Sequence, residues 1–292
     1  MIKIYYVPCY GDGTREYKLI RQGLVNNPRV ELVDNREESD FIFQFYYLSR
    51  CAKYYPHDLP PERTVVIDYG DKVYWLSHVE CFAYFKRSWV APIRHEEYTT
   101  KKVIPRSLHL HSISMAIMDE FIIEEDMERD LALSCTLRIK PNHGNRARVL
   151  KFLERMNIQG NVQIGGLNRG QMQRFNAPDM RDYFKLMKRS RIVVTCNPTK
   201  WEGDHRTWEA FANGALVFVD RMFTPLTNPL IDGKHCIFYD LSDQGLANLK
   251  EKLLFFMKNP DLAETIAKEG HEFAMKYHRA SNRIDEILDV IT

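Results

Sequence analysis

The sequence predicts an α/β fold built on parallel sheets, and three observations carry that prediction. Short apolar runs alternate with helical patterns along most of the chain, the order of strand–helix–strand units. A length of 292 residues is too great for one small module and fits two domains. The solvated segment Glu124-Glu125-Asp126-Met127-Glu128-Arg129-Asp130 interrupts the series, and a second series begins directly after it. The boundaries that follow are 1–125 for a compact first domain, 126–278 for a second, and 279–292 for a closing helix.

In the first domain, Ile2–Val7 is an apolar strand that runs into the turn-rich Pro8-Cys9-Tyr10-Gly11-Asp12-Gly13. A helix follows over Arg15–Leu24. Strands are expected at Val30–Val33, Phe41–Phe45, Val65–Asp68 and Cys81–Phe85, and the prolines of Pro56–Arg63 mark a loop. The second domain opens on strand Leu131–Leu137. Helix Asn145–Met156 is next, then strand Val162–Ile164, which ends in Gly165-Gly166. Helix Met180–Lys188, buried strand Ile192–Thr195 and helix Arg206–Ala212 continue the series. Asn213-Gly214 closes that last helix as a left-handed cap. Strands Ala215–Val219 and Cys236–Tyr239 complete the sheet. The tail is helical. Leu246, Leu249, Leu253 and Phe256 recur at helical spacing, and Asn259-Pro260 supplies a cap and a first-turn proline for the next helix. A last helix carries Ile284, Ile287, Leu288 and Ile291.

Charge and cysteine usage exclude several classes. Lys and Arg number 41 against 39 Asp and Glu, which offers no electrostatic case for binding nucleic acid or an anionic membrane. No run approaches the roughly 18 apolar residues that span a bilayer. Met1–Val7 lacks the basic lead-in and cleavage site of a signal peptide. Cys9, Cys51, Cys81, Cys135, Cys196 and Cys236 stand far apart with no CxxC pair, which argues against a zinc site or a disulfide frame. A soluble cytoplasmic protein with reduced thiols is the expectation.

The densest polar cluster is Asn197-Pro198-Thr199-Lys200-Trp201-Glu202-Gly203-Asp204-His205-Arg206-Thr207-Trp208-Glu209, between a buried strand and a helix. Ligands of open α/β sheets bind beyond the carboxyl ends of strands, where helix N-termini offer N–H groups to anions. Lys200, Gly203 and Arg206 suit such a loop to a diphosphate. Glu209 lies three residues after Arg206 on the same helix face, so its carboxylate can accept from a ribose diol while Arg206 meets phosphate. A surface i,i+3 ion pair fits that spacing as well. Glu202-x-Asp204 also has the spacing of a divalent-cation ligand pair, but the basic residues beside it can neutralise a diphosphate without metal.

Arg206-Thr207-Trp208-Glu209-Ala210-Phe211-Ala212-Asn213-Gly214-Ala215-Leu216-Val217-Phe218-Val219-Asp220 resembles the nucleotide-sugar signature of GT-B glycosyltransferases. The resemblance continues through Asn228–Asp240, Ile266-Ala267-Lys268-Glu269-Gly270 and the final helix with Arg283. Together these resemble group 1, family 4-like retaining glycosyltransferases, including relatives encoded by large algal (chlorella) viruses. The fold implied is GT-B: two Rossmann-like α/β/α domains facing a cleft, with the C-terminal helix returning to the first. The resemblance covers about Leu131 to Ile291, and 292 residues are short for that architecture, an economy it assigns to the acceptor-side first domain.

By this resemblance Glu209 is the second glutamate of the family's Glu-x7-Glu motif and holds the donor ribose. The first would fall at Trp201, whereas the glutamate here is Glu202. Either the loop is one residue shorter, or Glu202 and Asp204 share the role beside the donor sugar. Lys200 and Arg206 complete the catalytic set. The phosphate-binding cations come from the start of the second domain, where Arg138 and Lys140 follow a strand and Arg146 and Arg148 open a helix; any of them can equally solvate a loop. Thr136, Thr207 and Gly165 join the nucleotide set, with a plain turn an equal reading for Gly165. Gly11, Asp12, Gly13 and Asp68 are assigned to loops near the donor or acceptor, with simple turns as the alternative.

The activity implied is transfer of a hexose from a UDP- or GDP-sugar to a hydroxyl of a glycan, with retention and without metal or other cofactor. The partners implied are the donor and the acceptor, with a monomer or weak dimer as the assembly. A nucleotide-sugar epimerase and a non-catalytic nucleotide or sugar binder are the alternatives.

Overall fold

The structure, a computed structural model, describes residues 1–8, 14–46, 58–70, 80–88, 110–139, 144–167, 180–197, 203–222 and 224–292. Among them the helices are α1 (Arg15–Val25), α2 (Gly144–Arg155), α3 (Arg181–Arg189), α4 (His205–Ala212), α5 (Asp243–Lys258), α6 (Pro260–Tyr277) and α7 (Ala280–Ile291). The chain divides into two units, one comprising Met1–Ala116, Phe223–Thr227 and Arg279–Thr292, the other Ile117–Met222 and Asn228–His278.

The first unit is built on β1 (Ile2–Tyr6), β2 (Val30–Leu32), β3 (Phe41–Tyr46), β4 (Thr64–Asp68), β5 (Ala83–Lys86) and β6 (Leu110–Ser112). They pair in the order β2-β1-β3-β4-β5-β6, each pair parallel. Val65, Val66 and Ile67 are fully buried, which is why β4 is continuously apolar instead of alternating. Thr14 starts α1, its Oγ1 accepting from the Tyr17 N–H at 3.3 Å. Helix α7 packs on α1 so closely that a Cβ on Gly23 would lie 2.4 Å from the Ala280 carbonyl oxygen. Asn27 Nδ2 donates to Asp285 Oδ1 at 2.8 Å beside that contact.

The second unit holds β7 (Leu131–Arg138), β8 (Val162–Leu167), β9 (Ser190–Val194), β10 (Leu216–Asp220) and β11 (Ile237–Tyr239). Their order is β11-β10-β9-β7-β8, again parallel throughout. Leu133, Leu137, Val149, Leu153, Ile192, Phe218, Leu249 and Leu253 meet in its core. Gly214 follows α4 with φ +69°, the left-handed residue that ends the helix.

Three local features differ from the sequence expectation. Strand β6 is a three-residue edge strand with no long apolar run to announce it. Gly165 and Gly166 lie inside β8, paired with Thr136 and Leu137, and not in a turn beyond its end. Asn259 uses its side chain to close α5, donating from Nδ2 to Phe255 O at 2.7 Å, and makes no side-chain cap for α6.

Candidate functional site

Strand order in the second unit reverses between β7 and β9, and in open α/β sheets such a reversal opens a crevice beyond the strand ends. Arg138 ends β7 there, and Thr195-Cys196-Asn197 follow β9. The N-terminus of α4 belongs to the same edge of the sheet.

Arg146 anchors this edge. It lies in the first turn of α2, is only 2% exposed, and donates from Nε to Cys196 O at 2.9 Å. Its Nη1 donates to Arg138 O at 3.3 Å and its Nη2 to Asp204 Oδ2 at 2.5 Å. Arg206 Nη1 donates to the same Oδ2 at 3.2 Å, and Arg206 Nε to Thr136 O at 3.0 Å. One carboxylate oxygen thus ties two guanidinium groups to the ends of β7 and β9 and to the start of α4. Burial alone would push the Asp204 carboxyl up, but Arg146 and Arg206 outweigh it and hold it well below the usual carboxylate range. Burial likewise works against the Arg206 charge, and Tyr183, Asp204 and Glu209 outweigh it, so this guanidinium stays protonated.

Glu209 stands one turn further along α4, 1% exposed, and its Oε2 accepts from the Tyr183 hydroxyl of α3 at 3.1 Å. Thr207 Oγ1 lies 3.2 Å from Thr195 Oγ1. The far end of α4 is locked by Asn213, whose Nδ2 donates to Glu209 O and to Phe121 O, each at 2.8 Å. At the end of β10, Asp220 Oδ1 accepts from the Asn197 N–H at 2.7 Å, and burial pushes its carboxyl up to about 7.

A guanidinium carries five N–H donors. The Arg206 bonds to Thr136 and Asp204 use Nε and Nη1, and its Nη2 donates to no group among the described residues. A rigid, charged fork with spare donors, beside a helix N-terminus at the reversal of strand order, suits an anionic oxygen cluster.

The structure therefore brings together Thr136, Arg138, Asp204, Arg206, Thr207 and Glu209. Gly165 adjoins them through its pairing with Thr136, with open space where a Cβ would stand. Arg148 is instead an exposed partner of Asp243. Asp68 lies in the first unit, 2% exposed. Its oxygens accept from the Gly70 N–H at 2.7 Å and the Tyr84 hydroxyl at 2.6 Å, and Lys86 Nζ is 3.1 Å away. That places Asp68 as a buried hub that shapes its loop. Lys140, Lys200, Glu202, Gly11, Asp12 and Gly13 lie outside the described residues. Tyr183 and Asp220 were not singled out for chemistry from the sequence. Tyr183 falls on the apolar face of an ordinary helix, and only its hydroxyl, opposite Glu209, distinguishes it.

The profile of a family described as glycosyl transferase-like matches residues 138–289, just over half of the chain. Solved structures share the fold over nearly the whole length. Sucrose-phosphate synthase from Thermosynechococcus elongatus is 11% identical over 99% of this chain and 98% of that one, with a TM-score of 0.63. Anabaena Alr3699/HepE, in complex with UDP and glucose, is 11% identical over 100% and 99%, with a TM-score of 0.62. A glycosyltransferase from Rickettsia africae ESF-5 is 9% identical over 99% and 97%, with a TM-score of 0.61. At such identities the likeness is one of fold. No curated protein sequence matches the chain. The matched segment opens on Arg138 and takes in all of α4, and the chain belongs to the glycosyl transferase-like family, on a GT-B fold.

Proposed function

We propose that the protein transfers a hexose from a UDP- or GDP-sugar to a hydroxyl of a glycan acceptor, with retention of configuration. The observation that carries this reading is Arg206, charged, fixed by two hydrogen bonds and with Nη2 to spare, at the N-terminus of α4. Family membership and a fold shared with a UDP-bound protein support a nucleoside diphosphate as the anion.

In this reading the diphosphate lies against Arg206 and the start of α4, with Arg138 and Lys200 adding positive charge. Glu209, oriented by Tyr183, accepts from the ribose hydroxyls. Preorganised cations stabilise the negative charge that grows on the leaving diphosphate, and positioning supplies much of the remaining acceleration. The glycosidic C–O bond to the diphosphate breaks as the acceptor oxygen bonds to the same carbon. A donor phosphate oxygen takes the acceptor proton, so no side chain need act as base. Asp204 serves as a positioning residue for both arginines, and the family motif assigns Glu202 to the donor sugar. The cations do the neutralising that a divalent metal does elsewhere, so we read the enzyme as metal-independent, and EDTA should leave its turnover unchanged. We read it further as a cytosolic monomer or weak dimer.

Calorimetry on Glu209→Ala tests this reading. UDP or GDP affinity should fall about tenfold or more, as expected for a lost charged hydrogen bond worth about 1.5–3 kcal/mol. Unchanged affinity would remove Glu209 from the ribose site. Product analysis with and without acceptor separates transfer from epimerisation.

A further inference from the structure

The second unit carries a cavity of about 890 Å³ at the opposite edge of its sheet, where β7 and β9 begin and α4 ends. This volume lies in the range of small-molecule sites, roughly 300–1,000 Å³. It shares no lining residue with the edge that holds Arg146 and Arg206.

Its floor is a half-buried guanidinium. Arg129 Nη1 donates to Lys188 O at 3.0 Å and Ser190 O at 2.7 Å, and Nη2 to Asn213 O at 2.8 Å. All three acceptors are neutral carbonyls. No carboxylate lies within ion-pair distance of Arg129 among the described residues, and its Nε–H and one Nη2–H have no acceptor there. Burial pulls the Arg129 pKa down, the Glu264 carboxylate works against that, and the neighbouring Arg191 charge adds to it. Gly214 keeps this floor open, since a Cβ there would stand 2.9 Å from Arg129 Nη2.

Lys188, Arg191 and Lys268 add three more cations to the walls, and none of them forms an ion pair among the described residues. Of the lining acids, Asp130 is held by the Arg189 guanidinium, and Glu128 and Glu264 are exposed at the rim. The cations therefore outnumber the uncommitted acids. Phe256 and Met257 face them with an apolar wall.

From this arrangement we propose that the cavity binds a small molecule bearing a phosphate group, with its phosphate on Arg129, Arg191 and Lys268 and an apolar or ring body against Phe256 and Met257. A guanidinium whose remaining donors form part of a planar fork matches phosphate oxygens, and two lysines supply the mobile charge around it. The site is independent of the proposed donor site, and either can hold without the other.

Methyl-labelled methionine NMR on the full chain, with Met257→Leu to assign its resonance, tests the proposal with phenyl phosphate as probe. The Met257 methyl should shift saturably at or below about 10 mM probe. The surface variant Arg191→Ala/Lys268→Ala should weaken that affinity about fivefold or more, and Arg138→Ala should leave it unchanged. A Met257 methyl that does not move, a response indifferent to the Arg191/Lys268 change, or one lost in Arg138→Ala would each overturn the proposal.

Discussion

Arg146 Nη2 and Asp204 Oδ2 meet at 2.5 Å across 58 residues of sequence, with side chains only 3% and 11% exposed. The contact joins the first turn of α2 to the cap of α4, and Arg206 shares the same oxygen. Removing one partner of a buried pair strands the other. Asp204→Ala should therefore cost about 3–5 kcal/mol in urea unfolding. Arg146→Met/Asp204→Leu should cost clearly less than the sum of its single variants. Additive single variants would show that the pair is not coupled.

The same carboxylate sets an acid limit. Its folded pKa lies below the unfolded value of about 3.9, so its stabilisation is complete above about pH 4 and is lost as pH falls through the folded value. Asp204→Asn should flatten the stability curve below pH 4. An acid limb of unchanged slope would assign acid sensitivity to other groups.

Asp220 has the opposite sign. Its carboxyl is pushed up to about 7, above the unfolded value of about 3.9, so the folded state holds a proton that the unfolded chain releases. That contribution is full below about pH 4 and is lost at up to about 1.4 kcal/mol per pH unit as pH rises toward 7. Asp220→Asn retains an acceptor for the Asn197 N–H and removes the titration. Its stability relative to the parent should rise from pH 4 to 7 in denaturant melts, whereas parallel curves would contradict a protonated Asp220.

The Tyr183 hydroxyl is the donor that orients Glu209. Tyr183→Phe keeps the ring and removes that bond, at a cost of about 1–2 kcal/mol in stability. If Glu209 holds ribose, UDP or GDP affinity should fall severalfold as well. Loss of stability with unaltered affinity would mark the bond as structural alone.

Gly23 reports the docking of α7 on α1, with the Ala280 carbonyl oxygen 2.4 Å from where its Cβ would be. Gly23→Ala should destabilise by about 1–3 kcal/mol, against the usual gain of alanine in a helix. A neutral or stabilising result would mean that α7 does not pack there.

Much of the fold was legible because buried parallel strands leave a direct mark. Val65-Val66-Ile67 and Ile192-Val193-Val194 are apolar in succession because both faces of these strands are buried. The run from Arg206 to Asp220 was legible for another reason, since helix, left-handed glycine and strand follow in fixed order. Arg146–Asp204 and Tyr183–Glu209 were not, because each is set by tertiary packing of separate elements, and sequence periodicity carries no information on such pairs. Strand β6 escaped notice because three half-buried residues at a sheet edge need only one pairing partner. The glycines of β8 were misplaced because the generic turn preference of Gly-Gly is overridden by ladder pairing with β7.

A crystal structure of the protein with UDP or GDP tests the central claim most directly. The nucleotide should lie beyond the carboxyl ends of β7 and β9, with the diphosphate in hydrogen-bond reach of Arg206 and the start of α4, and the ribose diol on Glu209. A nucleotide bound elsewhere in the second unit, or one whose phosphates touch neither Arg206 nor Arg138, would contradict it.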